Sequence, residues 1–152
     1  MKVAAIQMVS ATTLDANLHS ADALLQEAAR SGAELAVLPE YFCLLGQRDT
    51  DKLAIQEPFG AGPLQQFLAS RAQALGIRIV RGTLPLSCGA TGDEPAHRVS
   101  NSSLAYSPEG LCVARYDKIH LFRFDNGTER YDESRVLERG HEPVSFDLSS
   151  RD

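Results

Sequence analysis

A carboxylate closes the apolar run Glu34-Leu35-Ala36-Val37-Leu38-Pro39-Glu40, and a lysine lies far downstream in Tyr116-Asp117-Lys118-Ile119-His120-Leu121-Phe122. An apolar run of this length reads as a strand buried on both faces, and the C-terminal mouth of such a strand is where α/β proteins tend to keep their chemistry. Glu40 is therefore a candidate acid or base. Lysine is scarce, with Lys2, Lys52 and Lys118 against twelve arginines, so a lysine kept in an apolar segment suits a need for a compact ammonium. A buried carboxylate and a buried ammonium could share the work of acyl transfer, one moving a proton and the other meeting an oxyanion, beside a nucleophile. Burial and mutual attraction pull the proton affinities of such a pair in opposite directions, and the residues alone do not say which wins.

No nucleophile declares itself. Cys43 follows Glu40 closely in Tyr41-Phe42-Cys43-Leu44-Leu45, Cys88 falls in a polar loop and Cys112 in a strand-like stretch, so the last two read as packing or incidental residues. A Ser-His-Asp arrangement has no G-x-S-x-G to support it. The three cysteines are odd in number and far apart, without a C-x-x-C pair, and His19, His97, His120 and His141 are equally scattered. That pattern fits a reducing cytoplasm and gives no metal-ligand spacing.

The elements that must hold Glu40 and Lys118 follow from periodicity. Val3-Ala4-Ala5-Ile6-Gln7-Met8-Val9 reads as a buried strand. Leu18, Ala21, Leu25 and Ala28 then form one helical stripe, stopped by Ser31-Gly32, where glycine suits a left-handed cap. The strand over 34–38 completes a right-handed strand-helix-strand unit with parallel strands. Gly60-Ala61-Gly62-Pro63 opens a second helix with Leu64, Phe67, Leu68, Ala72 and Leu75 on its apolar face; lacking a preceding strand and a third glycine, it is a turn rather than a phosphate loop. A third strand is expected over 77–84, a polar loop over 87–98, and a hairpin of 102–106 with 111–116 about the Ser107-Pro108-Glu109-Gly110 turn. Residues 123–140, which contain Asn126-Gly127, read as a loop region near the site, and the alternation in 144–148 predicts one last strand.

With 152 residues, 43% of them hydrophobic and 23% charged, the chain can bury one core, and a single domain over 1–152 is the expectation. The apolar run after Lys2 is too short for a signal peptide, and no stretch approaches a membrane span. A formal charge of −5 without a Lys/Arg cluster argues against a nucleic-acid partner and leaves a small neutral or anionic metabolite.

The glutamate and lysine segments together resemble the nitrilase superfamily of carbon-nitrogen hydrolases, whose triad is Glu, Lys and Cys. Glu40 matches its glutamate motif and Lys118 its lysine motif, residues 3–8 resemble its opening strand, residues 32–40 its second, and Tyr131-Asp132-Glu133-Ser134 its second-glutamate motif. The resemblance implies an α-β-β-α sandwich, with this α/β chain as its N-terminal half and its single domain incomplete. It implies Glu40 as general base, Lys118 as stabiliser of the oxyanion, and Glu133 as a group that orients substrate or lysine. A thioester intermediate and no cofactor go with that chemistry. The family's cysteine follows the next strand beyond Glu133, and Cys43 is not in its place; this chain alone is expected to be inactive. His120-Leu121-Phe122 and the spacing of the second-glutamate motif resemble the omega-amidase and deaminated-glutathione-amidase branch, which implies a small carboxylated omega-amide rather than a nitrile. The family's habit of forming dimers and larger assemblies implies a homo-oligomer. The alternative is an inactive short form acting as a binding or dimerisation module, because an incomplete sandwich leaves open edges and apolar surface.

Overall fold

The stripe of Ala21, Leu25 and Ala28 is buried on α1 (Leu14–Arg30), and Gly32 just beyond the helix takes the left-handed φ of +80° that the stop requires. A computed structural model describes residues 1–88 and 98–148. In it, α1 connects β1 (Val3–Ala5) to β2 (Leu35–Val37), which pair in parallel with Val3 opposite Leu35. After α2 (Pro63–Leu75), β3 (Arg78–Val80) adds to β2, again in parallel, as the strand-helix-strand pattern dictates.

The sheet then changes direction. Both β4 (Leu84–Ser87) and β6 (Cys112–Asp117) run antiparallel to the long β5 (Val99–Tyr106), whose far end pairs antiparallel with β3. A hairpin of β7 (Arg123–Asp125) and β8 (Arg130–Asp132) stands apart, and β9 (Leu137–Glu138) returns in parallel beside the start of β5. Both helices contribute to one core, in which Leu25, Leu38, Leu64, Leu68 and Ile79 are almost wholly buried. Each such side chain contributes roughly 1.5–3 kcal/mol by leaving water. The chain thus forms one helical layer against one sheet, half of the layers that the resemblance implies.

Helix α2 starts where the Gly60-Ala61-Gly62-Pro63 turn predicts, and its N-terminus is already occupied by a carboxylate of the chain. Glu57 accepts the backbone N–H of Leu64 at 2.5 Å and that of Gln65 at 3.2 Å, and the Gln65 amide at 3.0 Å. Those bonds satisfy helix-end donors that otherwise lack partners.

Four expectations need correction. The first strand is shorter than its apolar run and lies at the sheet edge, with Val3 51% exposed. The strand over 77–84 breaks into β3 and β4 at Arg81-Gly82-Thr83, because Gly82 passes so close to the turn after β2 that a Cβ there would collide with the backbone of Pro39 and Glu40. Residues 123–140 are not one loop: Asn126-Gly127 turns the β7–β8 hairpin, with Gly127 at φ +84° and Phe124 opposite Tyr131. Residues 144–148 form no strand. Val144 and Phe146 instead line a cavity together with Val80, Ser103, Ala105 and Tyr116 of the sheet. Of the polar loop expected over 87–98, residues 89–97 lie outside the described residues.

Candidate active site

Glu40 is held by a tight turn at the end of β2. The Leu38 N–H donates to the Val80 carbonyl at 2.9 Å, carrying the pairing one residue past the strand, and the Phe42 N–H turns back to the Pro39 carbonyl at 3.3 Å. Tyr41 sits between them at φ +56°, a left-handed conformation rare for a residue with a side chain, and its N–H donates to the Thr83 hydroxyl. From the other side, the Asn17 amide on α1 donates to the Cys43 carbonyl at 2.9 Å. A backbone strained at Tyr41 and tied at both ends fixes where Glu40 points.

Lys118 follows β6 directly. Its backbone N–H donates to the Asn101 carbonyl at 3.0 Å, and its carbonyl accepts the Gly140 N–H at 2.9 Å. The side chain brings the three expected residues together. Lys118 Nζ lies 3.0 Å from both carboxylate oxygens of Glu133 and 3.4 Å from Glu40 Oε1. Glu133 opens a short 3-10 helix, Glu133–Arg135, capped by Asp132, and its Oε2 accepts the Phe122 N–H at 2.6 Å. The β7–β8 hairpin between Phe122 and Glu133 therefore sets the position of the second glutamate.

One part of the expectation changes. Glu40 is not buried: its side chain is 46% exposed, against 23% for Lys118 and 18% for Glu133. Pro39 leads the chain out of the sheet before Glu40 is reached, so the carboxylate stands at the rim of the core. For Lys118, burial lowers the proton affinity, but the hydrogen bond to Glu133 and the charges of Glu40 and Glu133 outweigh it and hold the ammonium above its ordinary value. Attraction wins over desolvation, which the residues alone left open.

Three further residues complete the cluster and were not singled out as site residues from the sequence. Asn101 is 2% exposed and donates from Nδ2 to Glu40 Oε1 at 2.8 Å, while its own carbonyl holds the Lys118 backbone. The Tyr41 hydroxyl reaches Glu133 Oε1 at 3.5 Å, and Lys52 Nζ lies 3.4 Å from that hydroxyl. Burial, with the charges of Glu40 and Glu133, pushes the Tyr41 phenol well above its ordinary range, so it stays a neutral donor. A cavity of about 200 Å³ opens beside the cluster, between Tyr41, Leu44, Leu45, Lys52, Phe122 and Glu133.

The cysteines are placed elsewhere. Cys43 is 2% exposed and burial pushes its thiol up, away from the thiolate that attacks carbonyls. Cys88 Sγ lies 3.3 Å from the hydroxyl of Ser100, whose side chain leaves β5 on the face opposite to that of its neighbour Asn101. Cys112 lines a different cavity with Tyr106 and Gly110.

Comparison with known proteins identifies relatives of the chain. The carbon-nitrogen hydrolase family model matches residues 2–150. A deaminated glutathione amidase of Synechocystis sp. is 38% identical over 119 residues, covering 78% of this chain and 42% of its own length. The omega-amidase NIT2 of Homo sapiens is 30% identical over 148 residues, covering 96% of this chain and 50% of its own. Among solved structures, Nit3 of Saccharomyces cerevisiae, a nitrilase-superfamily member, superposes with a TM-score of 0.78 at 25% identity, over 98% of this chain and 52% of that one. An amidase from Nesterenkonia sp. shares the fold with a TM-score of 0.72 at 24% identity, over 96% of this chain and 51% of that one. The chain spans about half the length of the relatives it matches. By its sequence and by its fold alike, the chain belongs to the carbon-nitrogen hydrolase family of the nitrilase superfamily.

Proposed function

We propose that the chain carries the base and the cation of an amidase that hydrolyses small carboxylated omega-amides, with Glu40, Lys118 and Glu133 in the active site and the nucleophilic cysteine outside these 152 residues. The observation that carries the proposal is Lys118 Nζ standing between two carboxylates, 3.4 Å from Glu40 and 3.0 Å from Glu133. Asn101 and Lys118 both approach Glu40 at Oε1, which leaves Oε2 to take a proton. The relatives, a deaminated glutathione amidase and an omega-amidase, support an amide over a nitrile.

Glu40 takes the thiol proton as the sulfur attacks the amide carbon, and Lys118 stabilises the negative oxygen that forms. The carbon-nitrogen bond then breaks, the proton passes from Glu40 to the departing nitrogen, and ammonia leaves a thioester. Water, deprotonated by Glu40, attacks that thioester, and the thiol and the carboxylic acid are released. Glu133 holds the ammonium in place throughout, its own position fixed by the Phe122 N–H. The test is ammonia release from short omega-amides by the full-length protein. No turnover of any amide, carbamoyl or nitrile compound would sink the proposal.

A second reading, a binding or dimerisation module, draws on the apolar side chains left open, Val3, Val113, Phe122 and Phe124, each more than two-fifths exposed. It requires a defined oligomer of the 152-residue chain in solution without hydrolysis; aggregation on expression counts against it.

A further inference from the structure

The cavity beside Lys118 has an ammonium of its own. Lys52, on the 3-10 helix Asp49–Ile55, is half-buried and points its Nζ at the Tyr41 ring, 4.8 Å from the centroid and 3.4 Å from the hydroxyl. Of the other charges that line this space, all but Asp49 have an ion-pair partner. Glu133 is taken by Lys118, Asp132 faces Arg123 at 3.8 Å, and Arg48 faces Asp51 at 3.4 Å. Asp49 is the carboxylate whose charge acts most on Lys52, yet among the described residues no carboxylate comes within 4.0 Å of Nζ. A desolvated cation with no carboxylate in direct contact, in a cavity walled by Leu44, Leu45 and Phe122, leaves room for an anion beside it.

The geometry points to Lys52 as the seat of the free carboxylate of the substrate, with Tyr41 holding it at the far end of the cavity from Lys118. This rests on the amidase reading and gives its substrate a second anchor. From Lys52 to Lys118 the contacts run through the Tyr41 hydroxyl and Glu133, at 3.4, 3.5 and 3.0 Å. Two cations so spaced suit a short chain with a reacting carbonyl at one end and a carboxylate at the other. Burial lowers the proton affinity of Lys52, and an incoming carboxylate reverses that penalty by pairing with the charge.

The experiment separates seat from chemistry by using ligands that are not hydrolysed. Levulinate carries a ketone where the amide would lie and a carboxylate at its far end; 2-pentanone is its neutral counterpart. Their affinities for the full-length protein and for its Lys52→Met variant, which keeps the apolar stem, are measured by NMR titration. The proposal expects levulinate to be preferred by the wild type and that preference to fall at least tenfold in Lys52→Met. An unchanged preference, or no levulinate binding by the wild type, overturns it. Hydrolysis of succinamate and butyramide is followed alongside: if neither is cleaved, the amidase reading falls, while the levulinate ratio still decides for or against Lys52.

Discussion

Lys118 and Arg81 are two cations of one chain under opposite conditions. Lys118 is partly open to solvent, yet two carboxylates face its ammonium, 3.0 and 3.4 Å away. Arg81 is wholly shut into the core against the Phe42 ring, its guanidinium carbon 5.2 Å from the centroid, and none of its three side-chain nitrogens has a hydrogen-bond partner among the described residues. Attraction lifts the proton affinity of the first, while desolvation pulls the second down to about 9. The difference shows what a counter-ion does for a charge. The paired charge at the rim costs the fold little, whereas the unpaired charge in the core weighs on stability.

The sharpest way to break the comparison is to remove each charge in turn. Replacing Lys118→Met should lower kcat for amide hydrolysis by the full-length protein roughly 10²- to 10³-fold, as loss of an oxyanion donor does, and leave thermal stability within a few degrees. A variant that melts early would mean the rim cluster holds the fold together. Arg81→Met should do the reverse and raise stability by about 1–4 kcal/mol, because the buried charge goes while Glu57, bonded to Leu64 and Gln65, is not orphaned. The expected rise in Tm is about 2–4 °C per kcal/mol.

The pH dependence of that second effect has a definite sign. The folded chain releases the Arg81 proton near pH 9, below the ordinary arginine value, while the unfolded chain keeps it. Wild-type folding is thus penalised fully below about pH 9 and progressively less above it. The advantage of Arg81→Met should therefore be constant at neutral pH and narrow as pH rises past 9, as read from denaturant unfolding of both proteins. A gap that widens with pH would show that the guanidinium stabilises the core.

Gly82 links the two regions, since it follows Arg81 and passes under the backbone of Pro39 and Glu40. Gly82→Ala should cost about 1–3 kcal/mol of stability and displace Glu40 as the turn yields. Activity should then fall further than the same loss of stability explains when both are measured well below Tm. Equal losses would place the strain in β3 and β4 instead.

Glu40, Lys118 and Glu133, which the fold brings together, could be proposed from the sequence because motif and element agree: a strand end, a position after a hairpin and a short acidic segment are where a family resemblance can be read. The rest was hidden for particular reasons. Asn101 stands among Ser100, Ser102 and Ser103, a polar run inside β5 whose residues are mostly buried; such a run must find partners, and that need was the available signal. Lys52 shares the scarcity that drew attention to Lys118, but it stands in none of the motifs that carry the resemblance. Arg123-Phe124-Asp125 and Arg130-Tyr131-Asp132 flank the turn over 126–129 with opposite charges and aromatic rings in register, a cross-strand pattern concealed by the polarity of the stretch. The short strands β1 and β9 are set by tertiary pairing, which local sequence does not encode.

The smallest effect tests how the rim cluster is tied to the cavity. Tyr41→Phe removes one hydroxyl and keeps the ring beneath Lys52 at 4.8 Å, together with the left-handed backbone that aims Glu40. The two bonds lost are long, 3.4 Å to Lys52 and 3.5 Å to Glu133, so they contribute at the low end for hydrogen bonds, about 0.5–1 kcal/mol. If the hydroxyl only holds Lys52 for the substrate carboxylate, KM for a carboxylated amide should rise about twofold to fivefold with kcat nearly unchanged. A fall in kcat approaching that of Lys118→Met would instead make Tyr41 part of the chemistry. Because its phenol stays protonated far above neutral pH, that role would be to donate a hydrogen bond to the oxyanion, a second donor beside the lysine.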